Sequence, residues 1–178
     1  MSHVLYTVLI GVTALERLIE VKVSNRNRRW SIDRGGREFG ESHYPFMVCL
    51  HTAFLVACPI EVWLLDRAFD PMVGWGMLVV ALLCQIGRWW CIQTLGPRWN
   101  TRVVIVPGLP PVQAGPYRWI RHPNYVVVAL EGVALPMIHG AVYTAVGFTL
   151  LNVWLMWVRI RCENSALSSL PTSLPESQ

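Results

Sequence analysis

The sequence predicts an all-α, polytopic integral membrane protein of about five transmembrane helices, with its functional site built from loops and helix ends. Three observations carry this expectation. Hydrophobic residues make up 53% of the 178 and charged residues only 15%, which is more apolar than a soluble domain of that length. Several apolar runs approach the roughly 20 residues that cross a bilayer as helix. The positive charges cluster in the segments between and after those runs. A net charge of +4 would also suit a nucleic-acid binder, but the arginines are not laid out as one solvated face, so no nucleic-acid partner is expected.

The first apolar run, Val4 to Val23, has no small-residue cleavage site and reads as an uncleaved helix. Glu16, Arg17 and Glu20 lie in its second half, where a spacing of three pairs Arg17 with Glu20. A charge at mid-bilayer costs on the order of 2.5–3.5 kcal/mol on insertion scales, so these residues should face protein or the interface. Ser24 to His43 is polar, carries five arginines and the flexible pair Gly35-Gly36, and is expected to be a loop. Tyr44 to Leu65 and Met72 to Leu95 are the second and third spans, joined by a short turn at Asp66 to Pro71. His43 and His51 share a face of the second span, and Arg88 and Gln93 of the third should face the protein interior.

Gly96 to Asn124 forms a second polar loop with Pro107, Pro110, Pro111 and Pro116. Tyr125 to Ile138 and Ala141 to Val158 complete the spans, joined at His139-Gly140. The fourth run is short, holds Glu131 and Pro136, and should be tilted, locally broken or tucked against protein. Ser168 to Gln178 is a Ser/Pro-rich tail expected to be mobile, which leaves 1–167 as the membrane domain. Five cysteines show neither C-x-x-C nor metal-ligand spacing and read as small buried hydrophobes.

Charge asymmetry sets the orientation. Lys22, Arg26, Arg28, Arg29, Arg34 and Arg37 flank the first long loop; Arg98, Arg102, Arg118 and Arg121 sit on the second; Arg159 and Arg161 follow the last span. The opposite-side turns carry only Arg67. The positive-inside rule then places both long loops and the C-terminus in the cytoplasm and the N-terminus outside.

The densest chemistry lies in Gly115 to Glu131, GPYRWIRHPNYVVVALE. Pro123 suits the first helical position, where its missing N–H costs nothing, and it holds His122 extended just outside the helix. Free backbone N–H groups and the positive end of the helix dipole gather there, an anchor for a carboxylate or phosphate. A membrane-surface turn with arginines at the headgroups is the plainer reading of the same residues.

GPYRWIRHPNY resembles the G-x-Y-x-x-x-R-H-P-x-Y signature of the isoprenylcysteine carboxyl methyltransferase superfamily. Its second signature, R-x-x-x-E-E-x-x-L, is approximated by Arg159 to Leu167, and LGPRWN (Leu95 to Asn100) is similar to the Gly-containing segment after the third helix. The resemblance covers about residues 84–167. Two positions depart: a frequent glycine is Val127 here, and the second acid of the terminal pair is Asn164.

The resemblance implies an S-adenosylmethionine-dependent methyltransferase. A pocket for that cofactor needs donors for a carboxylate, an acid for the ribose or amine, and apolar walls. His122 with the N–H groups opening the helix at Pro123 to Tyr125 suits the first, Glu163 the second, and Tyr117 and Tyr125 the third. Arg159, one turn before Glu163, is expected to orient the acceptor oxygen. The substrate should be lipidic, and RGGREFGESHYP with the RIRCEN ending looks like the bacterial branch acting on alkylpyrones and alkylresorcinols. The rival readings are an NADPH-dependent membrane sterol-type reductase, which shares R-H-P-N-Y, and a non-catalytic membrane scaffold.

Overall fold

The computed structural model describes residues 1–169; the expected Ser/Pro-rich tail lies, from residue 170 on, outside the described residues. Five helices dominate: α1 (His3–Ile32), α2 (Tyr44–Leu64), α3 (Pro71–Leu95), α4 (Pro123–Met137) and α5 (Val142–Ser169). α2, α3 and α5 are long and apolar enough to cross a membrane. α1 is long enough too, but Glu16, Arg17 and Glu20 interrupt its apolar run. The 15 residues of α4 rise only about 22 Å, short of a hydrocarbon core of about 30 Å. α4 lies instead against α3 and α5, with Glu131, Gly132, Ala134, Leu135 and Pro136 buried. A Cβ on Gly132 would stand 2.3 Å from the Phe148 ring, so glycine is what lets α4 and α5 approach.

The expected first loop begins later than its composition suggests. The stretch from Ser24 to Ile32 is not loop but the last turns of α1. Its polar residues form a buried face: Ser24 Oγ bonds Thr101 Oγ1 at 2.8 Å, and Asn27 Nδ2 donates to the Gly96 and Trp99 carbonyls at 3.1 and 2.8 Å. Ser24 and Asn27 satisfy a second polar segment rather than water, whereas Asn25, Arg26 and Arg29 are exposed. The helical class stands, with one short strand pair added between the two polar segments. β1 (Arg37–Phe39) pairs antiparallel with β2 (Val103–Ile105), Arg37 opposite Ile105.

Helix starts follow from local chemistry. Asp70 Oδ1 accepts from the Met72 and Val73 N–H groups ahead of α3. α5 receives its cap from another helix: Glu61 of α2 accepts from Thr144 N at 2.7 Å and Tyr143 N at 3.2 Å. Gly40, at φ +67°, precedes α2 where a Cβ would strike the His43 ring and Cys162 Sγ.

An apolar core including Tyr6, Phe54, Val62, Leu135, Ile138 and Phe148 fills the end of the bundle where α1 and α5 begin. Above it lies a layer of buried charge. Arg88 grips Glu20 with Nε and Nη2 at 2.6 and 2.7 Å, and Arg17 pairs with Glu20 at 3.0 Å and Glu131 at 3.4 Å. Glu16 takes Gln85 Nε2 and Trp89 Nε1. The first-helix charges thus face protein, as does Arg88, whereas Gln93 is exposed, contrary to expectation. Leu5, Val8, Val12, Leu82, Leu83, Ile86, Leu150 and Trp154 are exposed on the outside, an apolar belt that lipid would cover.

Candidate functional site

The ends of α1, α3 and α5 and the starts of α2 and α4 gather at the pole opposite the apolar core. Gly115 opens a 3₁₀ turn (Gly115–Arg118) at φ +51°, and a Cβ there would stand 2.5 Å from Thr94 Oγ1 of α3. Both the dihedral and the contact demand glycine. The turn docks on α3 and presents Tyr117, whose phenol is pushed above its ordinary range by burial and by the Cys91 thiol beside it.

His122 takes the position before α4 at φ −129° and ψ 63°, as Pro123 in the first helical turn requires. Its ring stacks on Tyr125, centroids 5.2 Å apart and planes at 13°. The Tyr125 hydroxyl donates to Glu163 Oε2 at 2.8 Å and accepts from Arg159 Nε at 2.9 Å. Tyr125 is therefore a polar relay between two α5 residues, not only the apolar wall its sequence position suggested. His122 Nδ1 lies 3.9 Å from Glu163 Oε2, and His122 Nε2 is buried without a hydrogen-bond partner among the described residues.

Tyr117, His122, Tyr125, Arg159 and Glu163 all line one cavity of about 320 Å³. Pro123 does not line it; buried in the first turn of α4, it sets where His122 points. The opposite wall is apolar, from Val103, Ile105, Val106, Leu109 and Pro110, in a stretch whose composition predicts a loop. The run Val103 to Val106 is β-branched throughout, a strand signal. Also missed was Asn124, which lines the cavity with Oδ1 buried and unpartnered.

A clamp holds that wall down. Glu38 of β1 takes Arg28 Nε of α1 and, at 2.6 Å, Arg102 Nη1 just before β2. Burial alone would raise the Glu38 carboxyl, but the hydrogen bonds from Arg102 and Arg28 outweigh it and hold it below the usual range. Arg102 also lies 3.9 Å over the Tyr44 ring, which ties the start of α2 to the same wall.

The two departures from the resemblance have local consequences. A Cβ on Gly87 of α3 would meet Val127 Cγ2 at 3.3 Å, so the close helix approach at Val127 is met by a glycine on the facing helix. Among the described residues Asn164 Oδ1, beside Glu163, is buried without a partner.

Residues 77–169 match the isoprenylcysteine carboxyl methyltransferase (ICMT) family, a family of membrane methyltransferases. An uncharacterized protein of Bacillus subtilis (strain 168), YpbQ, is 38% identical over 164 residues, covering 92% of this chain and 96% of that one. An uncharacterized protein of Haemophilus influenzae is 26% identical over 157 residues, covering 86% and 90%. No solved structure matches the chain. The match spans the 3₁₀ turn, the His122 segment and the whole of α5, and the chain belongs to the isoprenylcysteine carboxyl methyltransferase family.

Proposed function

We propose that the protein is an S-adenosylmethionine-dependent O-methyltransferase whose acceptor is an acidic lipid, of the kind represented by alkylpyrones and alkylresorcinols. The observation that carries this reading is the Arg159–Tyr125–Glu163 chain across the cavity, with His122 Nε2 and Asn124 Oδ1 left unpaired beside it. Buried polar atoms without partners are costly, and a ligand bearing donors and acceptors would satisfy them. The cavity stands at the small end of the range for ligand sites, about 300–1,000 Å³, which suits one nucleoside with a short chain rather than a dinucleotide.

S-Adenosylmethionine fits this set. His122 and the opening N–H groups of α4 would hold its carboxylate, Glu163 its amine or ribose, and the 103–110 wall its adenine. When bound it supplies an electrophilic methyl on a sulfonium, so an acceptor oxyanion forms the C–O bond as the C–S pair returns to sulfur. Positioning and charge placement then dominate the rate. Arg159 would hold the acceptor oxygen as the anion, and Glu163, which accepts from the Tyr125 hydroxyl, would face the cofactor.

Calorimetric titration of the purified protein with S-adenosylmethionine and, separately, NADPH tests this. Binding of the first alone is expected, and Glu163→Gln should weaken it by about 1–3 kcal/mol, the scale of a charge-assisted hydrogen bond. NADPH binding would favour the reductase reading, and binding of neither would favour a scaffold.

We place the site at the cytoplasmic face of the cell membrane, because the basic residues concentrate at the pole that carries the cavity. A tag fused after Gln178 should then react with an impermeant reagent only in opened cells. Labelling in intact cells would reverse the orientation.

A further inference from the structure

The turn from Gly115 to Arg121 carries two side chains that neither the cavity nor the core uses. Trp119 is 67% and Ile120 46% exposed, although both are large and apolar. Backbone bonds from Trp119 N and Ile120 N to the Pro116 carbonyl, at 3.3 and 3.2 Å, hold them on a closed turn. Arg118 and Arg121 flank them, and both are exposed. Arg28 and Arg102 share Glu38 and Arg67 pairs with Glu61, whereas Arg118 and Arg121 pair with no carboxylate among the described residues. The Arg118 guanidinium lies 5.3 Å from the Trp119 ring centroid instead.

This turn sits where the apolar surface of α3 ends. Val79, Leu83, Ile86 and Trp90 recur every three or four residues along α3, all exposed, and so form one stripe down its outer side. Trp90 is the last of them. The Trp119 ring meets it edge-on, centroids 5.9 Å apart and planes at 66°, and a Cβ on Gly115 would stand 3.1 Å from Trp90 Nε1. Trp119 and Ile120 therefore continue a surface that lipid covers, at the level where acyl chains give way to headgroups. Tryptophan favours that level, and an arginine beside it reaches the phosphates. The same pairing recurs on α5, where Arg161 lies 3.8 Å over the half-exposed Trp157 ring. An acidic protein would match the arginines but not two apolar side chains continuous with a lipid-facing stripe.

We propose that Arg118, Trp119, Ile120 and Arg121 form a binding site for anionic phospholipid, the apolar pair wedged among acyl chains and the two guanidiniums on headgroup phosphates. A zwitterionic headgroup carries its own cation beside the phosphate, so two guanidiniums select a headgroup of net negative charge. The wedge shares its turn with two cavity residues: Tyr117 lies two positions before Trp119 and His122 three after it. Lipid that seats the wedge also steadies those two side chains, and cofactor affinity rises with the anionic lipid content. That second effect rests on the reading of the cavity as the cofactor site; the lipid binding does not.

Nanodiscs of phosphatidylcholine with a minor share of lipid brominated near the glycerol end test the site through tryptophan emission. Brominated phosphatidylglycerol should quench the wild type more than brominated phosphatidylcholine at the same share, and Trp119→Phe should remove much of that excess. Arg118→Gln should need about fivefold more phosphatidylglycerol for the same quenching, the scale of one basic residue at an anionic surface, and adding Arg121→Gln about fivefold more again. Arg118→Lys should behave as wild type, because a headgroup phosphate needs only the charge. Calorimetry should find S-adenosylmethionine bound more tightly in phosphatidylglycerol than in phosphatidylcholine discs, by a larger factor for wild type than for Arg118→Gln. The variant in the same discs cancels the attraction of any anionic surface for a cationic cofactor.

Equal quenching by the two brominated lipids, or an excess that Trp119→Phe leaves intact, would overturn the proposal in favour of an acidic protein partner. So would an Arg118→Gln titration that matches wild type, or an Arg118→Lys titration that matches Arg118→Gln. Equal gains in cofactor affinity for wild type and Arg118→Gln would overturn the link to the cavity. Absence of S-adenosylmethionine binding in both discs would instead overturn the methyltransferase reading, while the quenching still decides the lipid site.

Discussion

Glu20→Met is expected to destabilise the protein by about 3–5 kcal/mol, the cost of breaking a buried ion pair by removing one partner. Both hydrogen bonds of the Arg88 side chain go to Glu20, and Glu20 is 2% and Arg88 8% exposed. Without Glu20 the Arg88 guanidinium is stranded between α1 and α3 at a depth where water cannot reach it. Arg88→Met should also destabilise, because Glu20 keeps only Arg17 while Glu16 and Glu131 remain close by. The double variant Glu20→Met/Arg88→Met should recover most of the loss, since two well-packed apolar side chains replace a pair that was expensive to bury. Unfolding midpoints in one detergent, read by tryptophan fluorescence, supply the four corners of the cycle. A double variant no more stable than the summed singles would show that the layer is not held by this pair.

The second large effect is a division of labour between Arg159 and His122. Arg159→Ala should lower turnover by about 10²–10³-fold, the scale of removing one preorganised charge-stabilising donor, with cofactor affinity nearly intact. His122→Ala should lower affinity for S-adenosylmethionine and for its demethylated product, along with turnover. Arg159→Lys should rescue poorly, because the guanidinium can bond Tyr125 through Nε while its other N–H groups face the acceptor, and a single ammonium cannot do both. Tyr125→Phe keeps the ring stacked on His122 but cuts the link between Arg159 and Glu163, so it should show part of both phenotypes. Calorimetry beside methylation of an alkylpyrone in nanodiscs reads all four variants. Normal turnover in Arg159→Ala, or a cofactor defect there as large as in His122→Ala, would refute the division.

The positions of α2, α3 and the bulk of α5 were legible because an apolar run of span length has few other ways to satisfy its backbone in a membrane. The start of α4 was legible because Pro123 acts on its own neighbours. The residues around the cavity were legible for a similar reason. His122 and Tyr125 sit within one short segment and Arg159 and Glu163 one turn apart on one helix, so their juxtaposition needed only two pieces of chain to meet. Tertiary structure decided the rest, wherever a polar residue's role depended on a partner far along the chain. Ser24 and Asn27 read as loop until Gly96, Trp99 and Thr101 supply their hydrogen bonds. β1 exists only because β2 returns to pair with it, and Glu38 has a role only between Arg28 and Arg102. Val127 fits because Gly87 faces it from another helix. Hydrophobic burial is read from periodicity along the chain, whereas a hydrogen bond or an ion pair has a direction and a partner that only the packed helices provide.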